Sequence, residues 1–358
     1  MTSFAQKLLS WFANHGRHHL PWQIDRDPYK VWLSEIMLQQ TQVATVIPYF
    51  ERFLQRFPDI QSLADADTDD VMALWSGLGY YARARNLQKA ARQIVDHHNG
   101  KFPQDIDDVT ALSGIGQSTA GAILAFCFEQ RHPILDGNVK RVLCRQRAVH
   151  GYPGETRIAR QLWSVADQLT PAERVSDYTQ AIMDLGATVC TRRKPLCIAC
   201  PVADSCEALA AGEVDALPTP KSRKPKPIHE WQMLVFRNHD GKILLQRRPP
   251  VGIWGGLWCP PVADHQDVGT DGFSTRQWAR DQLGIEIRSE RKLDSFTHAF
   301  SHFGISVSPV EVSRMCIKPA IRDGQDRIWI EPNGLEDFGL PAPVRRFLSE
   351  SLPVSGRP

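Results

Sequence analysis

Cys190, Cys197, Cys200 and Cys206 fall in one short excursion of chain, separated by six, two and five residues. Four thiolates this close together can surround one compact centre without a ligand from elsewhere, and thiolate is the donor that selects iron–sulfur clusters or zinc. Two disulfides or four unrelated core cysteines are the competing readings, and the bunching argues against the second. Zinc sites usually pair two Cys-x-x-Cys units. Only Cys197-Ile-Ala-Cys200 has that form here, so the spacing favours iron–sulfur. The run also departs from the repeated Cys-x-x-Cys of ferredoxins, which argues against plain electron carriage.

The rest of the chain must build a scaffold for such a loop. With 358 residues there is length for two or three domains, each with its own core. A net charge of +2 excludes little, because what matters for nucleic acid is where the positive charge lies. The opening segment, residues 4–12, spaces its apolar residues as an amphipathic helix and lacks a signal-peptide core, and no apolar run approaches membrane-spanning length. The expectation is a protein without membrane association in a reducing, cytoplasmic compartment, which suits eight cysteines with no evident disulfide framework.

Up to about residue 211 the apolar spacing is helical, with breaks at Pro58, Gly77, Pro103, Gly114, Pro133 and Pro171. The stretch Pro218-Thr-Pro-Lys-Ser-Arg-Lys-Pro-Lys-Pro227 is stiffened by proline and basic without an acidic neighbour, so it is expected to be an extended linker, either merely solvated or touching phosphate. Beyond it, residues 231–236 and 242–246 have strand character and are joined by an Asn238-His-Asp-Gly241 turn, with a helix expected near residues 275–283. This second half is α/β or α+β.

Several residues stand out against that background. Glu35 sits in Val31-Trp-Leu-Ser-Glu-Ile-Met-Leu38, apolar on nearly every side, with no Lys or Arg one helical turn away. An unpaired buried carboxyl has a raised pKa and stays protonated near neutrality, as a general acid requires; a partner from a distant helix is the alternative. Gly114-Ile115-Gly116 directly precedes an apolar helix, a setting that presents backbone N–H groups to phosphate, although it also serves as a simple interhelical turn. Asp136 or Asn138 is placed to cap the following helix, leaving the other as a polar group at a cleft mouth, where a carboxylate could stabilise a sugar cation. Gly77-Leu-Gly-Tyr-Tyr-Ala-Arg-Ala-Arg85 and Gln39-Gln-Thr-Gln42 carry rings, guanidinium groups and amides suited to bases and phosphates, with core packing of Tyr80 or Tyr81 as the alternative.

Together, residues 112–119, Asp136 and the cysteine run resemble the helix-hairpin-helix DNA glycosylases of the endonuclease III superfamily. Within it, residues 28–41 and 133–142 resemble the adenine DNA glycosylases of the MutY type, and the likeness covers nearly the whole chain. The resemblance implies a multidomain protein. Its parts would be a mainly α helix-hairpin-helix glycosylase region at 1–215 (hairpin about 108–128, iron–sulfur loop 190–206), the basic linker at 216–228, and an α+β Nudix-like domain at 229–358 for 8-oxoguanine recognition. It implies one 4Fe-4S cluster on Cys190, Cys197, Cys200 and Cys206, and a DNA phosphate at Gly114 and Gly116 with a monovalent cation as an additional guest. Glu35 matches the general acid and Asp136 the catalytic aspartate, with Asn138 beside them. Trp22 falls in the adenine pocket, Gln40 and Tyr80 enter the stack around the lesion with Thr41 and Leu78 near them, and Phe300, Ser301 and His302 form the loop that contacts 8-oxoguanine.

Two positions depart from the wider pattern. Ser118 stands where bifunctional relatives carry a lysine nucleophile, and serine cannot form the Schiff base that drives strand cleavage, so the chain resembles the monofunctional branch. Ser113 stands where the hairpin usually has proline, which implies a slightly looser turn. In the second half, Asp281 and Gln282 fall where the Nudix pattern has paired glutamates, so a magnesium site is not expected. The implied function is hydrolysis of the N-glycosidic bond of adenine opposite 8-oxoguanine or guanine in double-stranded DNA, by a monomer, with repair or clamp proteins docking on the linker. The alternatives are a bifunctional glycosylase for oxidised pyrimidines, a redox DNA sensor without excision, and a nucleotide-pool hydrolase acting through the second half.

Overall fold

Apolar residues at three- and four-residue spacing need partners on one face only, and the first helix obeys this: in α1 (Phe4–His15), Ala5, Leu8, Leu9 and Phe12 are buried, and Ser3 and Gln6 close a reciprocal cap at its start. The computed structural model describes residues 3–222, 225–269, 273–300, 302–317 and 326–351. After α1 come α2 (Pro28–Leu38), α3 (Val43–Arg56), α4 (Ile60–Asp65), α5 (Thr68–Trp75), α6 (Ala82–His98), α7 (Ile106–Ala111), α8 (Gln117–Phe128), α9 (Gly137–Gln146), α10 (Thr156–Leu169), α11 (Val175–Asp184) and α12 (Glu207–Ala210). A single π-helical turn, Leu185–Val189, continues α11 toward the cysteine loop. Beyond the linker follow β1 (Ile228–Phe236), β2 (Ile243–Arg247), β3 (Trp258–Cys259), β4 (Val262–Ala263), α13 (His265–Val268), α14 (Thr275–Trp278), β5 (Ile285–Lys292), β6 (Phe296–Ala299), β7 (Gly304–Ile317), β8 (Arg327–Ile330) and α15 (Ala342–Ser351).

The chain divides into two compact units that are not contiguous in sequence: Met1–Asp65 with Asn86–Arg223, and Ala66–Arg85 with Lys224–Pro358. Helical spacing gives no hint that residues 66–85 leave the first unit. Their partners in the second unit lie far along the chain: Asp69 forms a bidentate pair with Arg247 at 2.7 and 2.6 Å, and the Ser76 and Tyr81 hydroxyls donate to the Leu340 carbonyl.

In the first unit, α1, α9, α10 and α11 enclose one core around Leu8, Leu143, Leu162, Ala181 and Leu185. α2 packs on both α3 and α8 and is therefore buried on most sides. The linker is docked at its start: Leu217 is buried, its carbonyl accepts from Arg145, and the Thr219 hydroxyl accepts from the Gly151 N–H. Arg223 and Lys224 lie outside the described residues.

In the second unit, β7 is the long central strand. It pairs in parallel with β1 and antiparallel with β5 and β6, and β4 completes the sheet beside β1. A second sheet has the order β3-β2-β8. The turn expected at residues 238–241 forms, with the Asn238 side chain accepting from Asp240 and Lys242, but β1 and β2 enter different sheets, and an isolated Arg237–Ile243 bridge is the ladder contact beside the turn. The helix expected near 275–283 is α14 continued by a π-helical turn and stopped by Gly284 in the left-handed region.

Candidate active site

A cavity of about 830 Å³ opens in the first unit, and its lining brings together Trp22, Glu35, Gln40, Thr41, Ser118, Asp136 and Asn138. This volume lies within the range of ordinary ligand pockets. Gly114 and Gly116 lie in the α7–α8 hairpin of the same unit, whereas Leu78, Tyr80, Phe300 and His302 belong to the second unit. Ser301 lies outside the described residues.

Asp27 caps α2 and Pro28 occupies its first turn, which fixes the helix so that Tyr29, Val31, Trp32, Leu33, Ile36 and Met37 are buried and Glu35 is half-buried at the cavity. Loss of hydration pushes the Glu35 carboxyl up to about 8, with the negative charge of Asp136 adding to the effect. Asp136, not Asn138, caps α9: its Oδ1 accepts from the Val139 N–H at 2.7 Å. Burial raises Asp136 as well, but the backbone N–H groups of Val139 and Asn138, and then Arg141 and Lys140, favour its anion. Two carboxyls sharing one cavity resist double ionisation. The one that has helix N-terminal donors keeps the charge, and the one in apolar surroundings keeps the proton.

Asn138 is held in place by its neighbours. Its Nδ2 lies 3.4 Å from Asp136 Oδ2, and its Oδ1 accepts from Arg141 at 2.8 Å. Arg141 also donates to the carbonyls of Gly186 and Cys190, so one guanidinium ties the Asp136 cap to the start of the cysteine loop. Arg17 was not apparent in the sequence either. It lines the cavity and donates twice through its side chain to Asp184, which is 1 % exposed and also accepts from the Arg17 N–H and from Gln180, another lining residue. The available signal was Asp184 itself, a carboxylate inside the apolar run Ala181-Ile-Met-Asp-Leu185.

Trp22 is 5 % exposed and sits edge-on against Phe50 at 5.4 Å. Gln40 is exposed and adopts φ +60°, the left-handed region that a side chain seldom occupies. Tyr80 does the same at φ +50° and is 49 % exposed, with the Arg83 guanidinium near its ring and donating to the Leu78 and Gly79 carbonyls. Such strain concentrates where a protein presents side chains to a ligand.

In the hairpin, Gly114 has φ +81°, and a Cβ there would meet the Asn86 Cβ at 2.7 Å. Gly116 caps α8, and a Cβ on it would meet nothing within 4 Å, so that glycine faces open space beside a helix N-terminus. The Ser113 N–H, which proline lacks, donates to Gln93 Oε1 at 2.8 Å and restrains the turn. Ser118 Oγ accepts from the Leu135 N–H at 2.9 Å, which fixes the strand-like approach to Asp136.

All four loop cysteines line one mainly apolar pocket with Val142, Leu185, Val189, Leu196 and Val202. Arg145 donates to Cys190 Sγ at 3.3 Å, the kind of contact that steadies a thiolate. Burial, then the adjoining cysteines, push the Cys200 thiol up to about 11, so charge on several sulfurs together needs a cationic centre. Four thiols around one pocket fit a polynuclear cluster. In the second unit Asp281 is exposed and bound by the Gln277 amide.

Comparison with known proteins agrees with this arrangement. Residues 33–189 match the family described as HhH-GPD superfamily base excision DNA repair protein, 190–206 the iron-sulfur binding domain of endonuclease III, and 232–350 the NUDIX domain. An adenine DNA glycosylase of Buchnera aphidicola subsp. Schizaphis graminum is 38% identical over 96% of this chain and 97% of its own length. An adenine DNA glycosylase of Mus musculus is 46% identical over 86% of this chain and 70% of its own length. Among solved structures, a thermostable thymine-DNA glycosylase superposes with a TM-score of 0.52 at 24% identity, over 58% of this chain and 95% of that one. A non-covalent endonuclease III-DNA complex gives 0.50 at 20%, over 58% and 94%. These two establish likeness of fold.

Two outcomes follow from this geometry. Gly114→Ala should lower unfolding stability by about 1–3 kcal/mol through left-handed strain and the Asn86 clash. Gly116→Ala should melt with the parent but bind duplex DNA more weakly in a fluorescence titration; parent-like binding would remove the hairpin from the interface. Glu35 is raised in the folded state, so its contribution to stability is complete below about pH 4.5 and is lost as pH rises to about 8. Glu35→Gln should therefore gain stability over the parent across that window in chemical denaturation, and a pH-independent difference would contradict the burial of this proton.

Proposed function

Because this chain belongs to the adenine DNA glycosylase family, within the HhH-GPD base-excision repair superfamily, we propose that it removes adenine paired with 8-oxoguanine, or with guanine, from double-stranded DNA. It is a DNA glycosylase of base-excision repair and carries a 4Fe-4S cluster. The observation that carries the reading is the pair of carboxyls in one cavity, Glu35 raised and Asp136 at a helix N-terminus.

The target adenine leaves the base stack and enters the cavity against Trp22; unpairing costs a few kcal/mol and least at a mismatch. Gln40 and Thr41 of the first unit and Tyr80 and Leu78 of the second each contact DNA near the lesion pair, and Gly114 and Gly116 hold a backbone phosphate and would take a monovalent cation as an additional guest. Glu35 gives its proton to adenine N7. The N-glycosidic bond then breaks with its electron pair passing to the base, and the Asp136 carboxylate stabilises the resulting sugar cation, with Asn138 orienting it. Glu35, now ionised, takes a proton from the water that adds to the sugar. Ser118 supplies no amine, so no Schiff base forms and the enzyme is monofunctional.

Cys190, Cys197, Cys200 and Cys206 would hold the cluster, which supplies a rigid cross-link for the loop that Arg141 and Arg145 contact. Phe300, Ser301 and His302 read 8-oxoguanine. The protein acts as a monomer at the DNA of the bacterial cytoplasm, and repair or clamp proteins dock on the linker.

Single-turnover excision on duplexes with adenine opposite 8-oxoguanine, guanine or thymine tests the reading. Adenine should be lost fastest opposite 8-oxoguanine, with strand breaks only after alkali. Glu35→Gln should slow excision by about 10²-fold or more while duplex binding persists. Breaks without alkali, or binding lost in step with excision, would contradict the assigned roles.

A further inference from the structure

A continuous set of rings underlies the loop that joins β6 to β7. Phe300 stacks on Phe303 at 4.6 Å and meets His298 edge-on at 4.7 Å. Both Phe300 and His298 contact Trp254, at 6.5 and 6.4 Å, and Trp254 stands perpendicular to Trp231 at 5.2 Å. Burial, then Arg346, lowers the His298 pKa, so at neutral pH this is a neutral ring among apolar ones. The loop is closed by the Phe300 N–H on the Phe303 carbonyl, and Lys226 at the end of the linker donates to the Phe300 carbonyl at 2.8 Å.

Trp254 is not free to follow Phe300; it is held from its own backbone. It is 7 % exposed and sits at φ +55°, the same sparsely populated region as Gln40 and Tyr80. A Cβ at the next residue, Gly255, would come within 2.6 Å of the Pro250 carbonyl oxygen, so the turn is packed tightly around the tryptophan. The Leu257 N–H donates to the Trp254 carbonyl, and the Arg85 guanidinium donates to the Gly255 carbonyl. Arg85 ends the short segment that carries Tyr80, so Tyr80 and Phe300, in one compact unit, are both referenced to this turn.

We propose that Trp254 is a positioning residue for lesion recognition: its fixed ring sets the depth and tilt of Phe300, and through Phe300 the discrimination between 8-oxoguanine and guanine opposite the excised adenine. This inference rests on the reading of residues 300–302 given above. A strained backbone and a central place in the ring set are costly for packing alone, which an ordinary aliphatic residue would satisfy.

The test is the ratio of single-turnover excision rates for adenine opposite 8-oxoguanine and opposite guanine, measured on the full-length, cluster-loaded enzyme. Phe300→Ala checks the underlying reading; an unchanged ratio removes it, and the proposal with it. Given that Phe300→Ala lowers the ratio, Trp254→Leu, which keeps apolar bulk but no ring, should lower it roughly threefold to tenfold, the worth of an aromatic contact, with the rate opposite guanine nearly unchanged. Trp254→Phe should restore the ratio. An unchanged ratio in Trp254→Leu, or equal loss on both duplexes, would overturn the positioning role and leave Trp254 a packing residue. If Trp254→Leu does not fold, His298→Leu reads the same ring set from its other side and should lower the ratio in the same way.

Discussion

Two carboxyl groups lining one cavity cannot both be charged at modest cost, and the proposed chemistry follows from how the fold divides charge between them. Glu35 projects from α2, whose flanking residues are apolar, and among the described residues no cation pairs with it. Asp136 caps α9 and receives backbone N–H donors. The Asp136 charge in turn adds to the upward shift of Glu35, so acid and anion define each other. In the proposed mechanism a single carboxyl would be a weaker acid catalyst or a weaker cation stabiliser, because each role needs the opposite protonation state to its neighbour's.

Much of the first unit serves to hold that pair in register. Arg141 joins Asn138, Gly186 and Cys190, and Arg145 reaches Cys190 Sγ and the linker carbonyl of Leu217. The cysteine loop is thereby bonded to the helix whose N-terminus carries Asp136. Arg17 and Gln180, which line the cavity, both hold the buried Asp184. Loss of any of these three arginines would leave buried acceptors without donors, which costs more than the bonds themselves contribute.

Glu35 and the cysteine run were legible because their signal is local: a charge in an apolar helix, and four thiols in one excursion. Asp136 was legible as a cap candidate, but only the structure distinguishes it from Asn138. Arg17 and Arg141 escaped notice because they have partners 167 and 49 residues away, and an arginine just past a helix end or on an amphipathic helix looks like any solvated charge. The same limit hid the membership of residues 66–85 in the second unit, since Asp69 finds Arg247 only after folding. In that unit the turn at Asn238–Gly241 was legible, but not that the two strands it joins enter different sheets, because β1 finds β7 and β2 finds β8 only far along the chain. The ring set around Trp254 was likewise out of reach, because three stretches of chain far apart in sequence supply it: Trp231, Trp254 and residues 298–303.

The most direct test of the account is an infrared titration of the protonated-carboxyl band that Glu35→Gln removes, carried out on the cluster-loaded protein and on Asp136→Asn. The account predicts that the band persists through neutral pH and disappears with a midpoint near 8, and at a lower pH once the Asp136 charge is gone. A band already lost by about pH 5, as for an ordinary solvated glutamate, would contradict it.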